Sequence, residues 1–136
     1  MIECISHITL VVRDLEKSSE IMTKVLGGVM IYDSNGKTHS IAEERFFDVN
    51  GLWLVLMQGS ILSEKSYNHF AFKVDEKELP HLEKEINALG LEIKPSRSRK
   101  PHEGRSIYFY DYDNHLFELH TGTLQERLDF YSRAEK

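Results

Sequence analysis

The chain has a single cysteine, Cys4, so no internal disulfide can form, and a reducing compartment suits it. It reads as a small strand residue rather than a reactive thiol. Only three prolines are present, and no Pro-, Gly- or Ser-rich linker divides the sequence; Gly59–Ser66 is the only spacer. No apolar run is longer than Leu52–Met57, far below the ~20 residues that a membrane helix needs. Glu3, His7, Arg13 and Asp14 interrupt the N-terminus, which is not the pattern of a secretory leader. Positive charge is scarce as well: 17 Lys and Arg against 22 Asp and Glu leave a net charge of −5. That balance argues against a nucleic-acid partner, which would need a basic footprint. The expectation is a cytoplasmic protein with neither membrane nor nucleic-acid partner.

What is present is enough to fold. Forty per cent of the residues are hydrophobic and 10% of the chain is aromatic, which allows a core within 136 residues. The order of elements occurs twice. Residues 5–12 read as a strand that puts His7, Thr9 and Val11 on one face. Asp14 caps a helix to about Leu26, stopped by Gly27-Gly28. A short strand, Val29–Tyr32, leads to a turn at Ser34-Asn35-Gly36. Phe46–Val49 and Leu52–Met57 then flank Asn50-Gly51, a strong hairpin signal. The second half follows the same plan. Residues 67–74 form a strand carrying His69, and Asp75 opens a helix with Pro80 in its first turn and Gly90 after its end. Leu91–Ile93, Ser106–Tyr110 and Leu116–His120 complete the strands. Thr123 to Glu126 reads as a capping box for a final helix.

The expected fold is therefore α+β, built from paired β-α-β-β-β modules at 1–60 and 66–122 with a C-terminal helix at 123–136. Units this short cannot close a cavity alone and must pair.

A lone histidine in a strand is usually a polar residue of no special role. Here His7 and His69 occupy matching places in a duplicated unit, and Glu118 lies in the apolar run Leu116–Leu119. A carboxylate there is costly to bury unless a cation neutralises it. Two imidazoles and one carboxylate leave coordination positions open, which suits a catalytic ion. Mixed nitrogen and oxygen donors without sulfur fit Mn(II), Fe(II), Zn(II) or Co(II). His39, His81, His102, His115 and His120 read as structural or surface residues, with His120 the nearest rival because it shares the face of Glu118.

His7, His69 and Glu118 on such modules resemble the vicinal oxygen chelate superfamily. The runs Ile5–Leu10, Tyr67–His69, Glu103–Asp111 and Asp113–Leu124, followed by Arg127, closely resemble its fosfomycin-resistance branch. Some members of that branch add a thiol to the antibiotic and one type adds water. On residues alone Glu44 reads as a solvated strand-edge charge beside Arg45. The resemblance implies instead the general base of the hydrolytic type. It also implies a metal held by His7, His69 and Glu118, Mn(II) first among divalent ions. The substrate would be fosfomycin, a small epoxide phosphonate, opened to a vicinal diol. Thr9, Tyr67, Ser106, Tyr108 and Arg127 would bind it, and the basic run Arg97-Ser98-Arg99-Lys100 reads as a solvated loop. Modules of this family pair across two chains, which implies a domain-swapped homodimer. The Leu52–Gly59 segment offers only Gln58 where glyoxalase I has a fourth ligand, which departs from a glyoxalase. The alternatives are a thiol-S-transferase on the same antibiotic and a drug-binding module without catalysis.

Overall fold

The computed structural model describes residues 1–95 and 104–134. Alternation of apolar and polar side chains makes His7–Val12 a strand, β1, burying Leu10 and Val12 while His7, Thr9 and Val11 point the other way. The Asp14 carboxylate accepts from the Lys17 backbone N–H at 3.0 Å and starts α1, Leu15–Glu20, which widens into a π-helical turn over Ile21–Val25. Gly27, at φ +67°, stops it. Then come β2 (Val29–Asp33), β3 (Glu44–Val49) and β4 (Leu52–Gln58), with Asn50 and Gly51 both at positive φ in the hairpin turn. These strands form a mixed sheet in the order β1-β4-β3-β2, with β1 parallel to β4.

The second half builds the same sheet from β5 (His69–Lys73), β6 (Glu92–Lys94), β7 (Ser106–Tyr110) and β8 (Leu116–His120), ordered β5-β8-β7-β6. Its helix departs from the expected start. Asp75 caps a 3₁₀ turn, Glu76–Glu78, and α2 proper runs over Leu79–Ala88 with Pro80 in its first turn. The Asp75 side chain takes the Lys77 N–H, so the chain tightens before Pro80 lets an α-helix form. Two strands also shift: β5 is shorter than 67–74, and β6 lies one residue later than 91–93. After β8, Thr123 Oγ1 accepts from the Glu126 N–H at 3.1 Å and α3 follows, Leu124–Ala134. Among the described residues no helix is long and apolar enough to cross a membrane.

Each sheet has a core side and an open side. In the first, Leu10, Val12, Phe47, Leu54 and Leu56 are buried with Ile21, Met22 and Val25 of the helix. In the second, Phe109 and Phe117 stack at 5.3 Å beside the buried Leu79, Leu82 and Ile86 of α2. A fully buried side chain of this size contributes about 1.5–3 kcal/mol. The opposite faces are left for chemistry.

Two compact units result, Met1–Lys65 together with Asp111–His115, and Ser66–Tyr110 with the residues from Leu116 on. The β7-β8 turn thus groups with the first unit. Asp113, 1% exposed, accepts from the Arg13 backbone N–H at 3.2 Å and from its Nε at 3.0 Å. The same guanidinium donates to the Tyr112 carbonyl at 2.6 Å, and Lys17 lies 4.0 Å over the Tyr112 ring. Asp111 holds the turn internally, accepting from the His115 N–H and facing His115 Nδ1 at 2.7 Å. Arg13→Ala would leave the buried Asp113 carboxylate with its backbone partner alone. We expect a loss of about 1–3 kcal/mol in urea unfolding, the typical cost of stripping a buried polar group of its partner.

Candidate metal centre

Cross-strand register decides which side chains meet. On β5-β8-β7 the pairs His69–Leu116, Ala71–Glu118, Lys73–His120, Ser106–His120 and Tyr108–Glu118 all share one face. Glu118 thus lies between Ala71 and Tyr108, 5% exposed, with His69 one diagonal step away. Its Oε1 is 3.1 Å from His69 Nε2, and its Oε2 accepts from Ser106 Oγ at 2.6 Å.

The state of His69 follows from its other nitrogen. Nδ1 is 2.7 Å from the Tyr67 carbonyl, which can only accept, so Nδ1 carries the proton. In the neutral ring, Nε2 then presents a lone pair to a carboxylate oxygen 3.1 Å away. Two acceptors at that distance need a positive charge between them. A metal with bonds of about 2.1 Å to one nitrogen and one oxygen at right angles sets those atoms about 3.0 Å apart. His69 and Glu118 therefore fit as neighbouring ligands of one ion.

His7 lies on the open face of the first sheet, where the register His7–Trp53–Asp48 runs across β1, β4 and β3. Its ring lies 4.2 Å from the Trp53 indole, and its Nδ1 is 3.0 Å from Ser6 Oγ. Both histidines thus have Nδ1 engaged by a residue just before the strand, which leaves Nε2 as the nitrogen available to a metal. Thr9 is next along, opposite Val55. Val55 occupies the β4 position that Glu118 occupies on β8, so the first sheet brings an imidazole and no carboxylate there. Among the described residues, no three His, Cys, Asp or Glu side chains form a group that could hold a metal ion.

Glu44 departs from the solvated edge charge that its neighbours in sequence suggest. β3 is an inner strand beginning at Glu44, not at Phe46, and β2 covers it. Ser34 closes over the strand end: its N–H donates to the Glu44 carbonyl, and its Oγ accepts from the Glu44 N–H, both at 3.0 Å. Glu44 is 9% exposed, and its carboxylate makes no hydrogen bond or ion pair among the described residues. Arg45 points the other way, to Glu16, Asp33 and Ser19. By register Glu44, Met57 and Val11 form one row and His7, Trp53 and Asp48 another on the same open face.

The candidate substrate residues group mostly on the second sheet. Tyr67 and Tyr108 hydroxyls are 3.3 Å apart, and Tyr67 packs 4.9 Å from the His69 ring. Arg127, in the first turns of α3, places Nη2 3.3 Å from His120 Nε2. Arg105 leaves this face for Glu76, at 3.3 Å. Gly104, at φ +80°, lies where a Cβ would come within 2.8 Å of the Gly122 nitrogen, so the ends of β7 and β8 close tightly beside Ser106 and His120. The sequence pattern ends this strand at Ile93 and so does not mark Lys94. The register sets it opposite Tyr108, with Nζ 5.5 Å from the Tyr67 ring centre. Residues 97–100 and His102 lie outside the described residues.

The chain has known relatives. The model of the Glyoxalase/Bleomycin resistance protein/Dioxygenase superfamily matches residues 4–119. The fosfomycin resistance protein FosX of Listeria innocua is 50% identical over 133 residues, covering 98% of this chain and all of that one. A crystal structure of a FosX variant from Listeria monocytogenes, complexed with Mn(II) and 1S,2S-dihydroxypropylphosphonic acid, superposes with a TM-score of 0.87. It is 47% identical and covers 96% of this chain and 99% of that one. The metallothiol transferase FosB of Lysinibacillus sphaericus is further away, at 37% identity over 98% of this chain and 93% of its own. The chain belongs to the Glyoxalase/Bleomycin resistance protein/Dioxygenase superfamily and, within it, to the fosfomycin-resistance branch.

Proposed function

We propose that the protein is a Mn(II)-dependent epoxide hydrolase that adds water to fosfomycin and so confers resistance to it. The observation that carries this reading is Glu44, a buried carboxylate on the same sheet face as His7 that has no hydrogen-bond or ion-pair partner among the described residues. A general base must lie within hydrogen-bond reach of the water it deprotonates, and a carboxylate not engaged elsewhere is available for that. The relatives support the same chemistry, since a FosX structure holds Mn(II) together with a dihydroxypropylphosphonate, a vicinal diol.

His7, His69 and Glu118 would hold the metal through Nε2, Nε2 and a carboxylate oxygen. When bound there, Mn(II) supplies Lewis acidity to the epoxide oxygen. Arg127 would pair with the phosphonate, with Tyr67, Tyr108 and Thr9 giving hydroxyl hydrogen bonds and Ser106 beside them. Glu44 takes one proton from water, whose oxygen bonds to the ring carbon next to phosphorus. The C–O bond at that carbon breaks, the ring oxygen keeps the electron pair on the other carbon, and it takes up a proton. Water is consumed and a diol results.

The working unit in this proposal is a cytoplasmic homodimer, in which His7 comes from one subunit and His69 with Glu118 from its partner. Two-fold symmetry then gives two equivalent sites. Mixing His7→Ala with Glu118→Ala, each inactive, should regenerate one intact site in each mixed dimer. A random 1:1 mixture should recover about a quarter of the wild-type rate. No recovery after demonstrated subunit exchange would place all three ligands in a single chain.

Glu44→Gln tests the base. It preserves size and reach but cannot take a proton from water, so diol formation should fall by ~10²-fold or more. Mn(II) and phosphonate affinity should persist, because other residues make those contacts. An added thiol, partly ionised near neutral pH, needs less assistance and should still open the bound epoxide. Phosphorus NMR separates the two products. Near-normal diol formation by Glu44→Gln would assign the base elsewhere, with the adjacent Glu43 the first candidate.

A further inference from the structure

His120 belongs to neither the ligand set nor the base, yet both of its ring nitrogens are engaged on the open face of the second sheet. Its Nε2 is 3.3 Å from Arg127 Nη2, and its Nδ1 is 2.6 Å from Ser106 Oγ. Ser106 Oγ in turn donates to Glu118 Oε2 at 2.6 Å. The two ends of this row fix its direction. A guanidinium can only donate and a carboxylate can only accept. Arg127 therefore donates to His120 Nε2, which must be the unprotonated nitrogen. The ring proton sits on Nδ1 and goes to Ser106 Oγ at 2.6 Å, the nearer of two oxygens, since Glu118 Oε2 itself lies 3.3 Å from Nδ1. The single hydroxyl proton of Ser106 goes to Glu118.

Ser106 thus has no proton left for a phosphonate oxygen while it holds Glu118. Its role shifts from touching substrate to aiming the carboxylate. Glu118 Oε2 is held from this side, which leaves Oε1 turned toward His69 Nε2, 3.1 Å away. Without the His120 proton, the Ser106 hydroxyl can rotate away and Glu118 loses its fixed orientation. The strand register makes the row possible, since Ser106 pairs directly with His120 and Tyr108 with Glu118.

We infer that His120 is a positioning residue for the metal-binding carboxylate. It carries hydrogen-bond direction from Arg127 through Ser106 to Glu118, and so ties the anion-binding cation to the geometry of the metal ligands. This rests on the proposed ligand set. Residues that orient metal ligands from outside typically change affinity by 10–100-fold when removed.

The test compares two substitutions of similar size. His120→Asn can place an amide N–H where Nδ1–H stood, whereas His120→Gln reaches only the Nε2 side. Mn(II) affinity, measured by paramagnetic resonance of the free ion, should weaken by about 10–100-fold in His120→Gln and recover to within several-fold of wild type in His120→Asn. A purely space-filling role for His120 would move the two variants alike, and equal affinities would overturn the inference. Nitrogen-15 NMR of the metal-free protein gives a readout independent of Mn(II). His120 should be the Nδ1–H tautomer, identified by the loss of its signals in His120→Asn, and an Nε2–H tautomer would overturn the inference. Glu118→Ala separates the two layers. Mn(II) bound by wild type no better than by Glu118→Ala would sink the ligand set itself. Metal lost in Glu118→Ala but unaffected in His120→Gln would sink only the role of His120.

Discussion

The buried carboxylate of Glu118 is the constraint around which the second sheet is arranged. It stands 5% exposed in a strand whose neighbours Leu116, Phe117 and Leu119 are all buried. An ionised group there must be neutralised or fully hydrogen-bonded, and the cost of failing is several kcal/mol. The sheet answers from both sides. His69 presents Nε2 to one oxygen because its Nδ1–H donates to the Tyr67 carbonyl, and Ser106 donates to the other. A cation at the first oxygen would complete the arrangement, because Oε1 faces the lone pair of His69 Nε2.

Duplication supplies the scaffold, and divergence at single register positions supplies the chemistry. The two sheets share their strand order, and each opens with a histidine on its first strand. Beside that histidine strand the first sheet has Val55 opposite Thr9, and the second has Glu118 opposite Ala71. The small Ala71 leaves room for the longer carboxylate. The first sheet instead keeps its carboxylate at the far end of β3, where Ser34 seals the strand and buries Glu44. One face carries an imidazole and the buried carboxylate of Glu44; the other carries an imidazole, the carboxylate of Glu118 and the cation of Arg127.

Much of this could be read in the sequence, for local reasons. An apolar, β-branched run marks β1, Asn50-Gly51 marks the hairpin, and Asp14 and Thr123 mark two helix starts by capping chemistry confined to a few residues. What escaped depends on lateral neighbours. Glu44 looks solvated beside Arg45 until β2 is laid over β3. Lys94 joins the open face only once β6 is registered on β7. The turn at Asp111–His115 groups with the first unit through Arg13, a partner that no local pattern names. The role of His120 likewise arises across three strands and a helix, from Ser106, Glu118 and Arg127 together. Resemblance to known enzymes supplied the role of Glu44, because an isolated glutamate has no spacing by which to recognise it.

The central claim is that water, and not a thiol, opens the epoxide. Turnover of fosfomycin by the Mn(II)-loaded protein in ¹⁸O-labelled water, without any thiol, tests it most directly. Phosphorus NMR should show a single diol product with one ¹⁸O on the carbon next to phosphorus, read as an isotope shift of the phosphorus line. Unchanged fosfomycin in that mixture, with turnover appearing only after a thiol is added, would contradict the account.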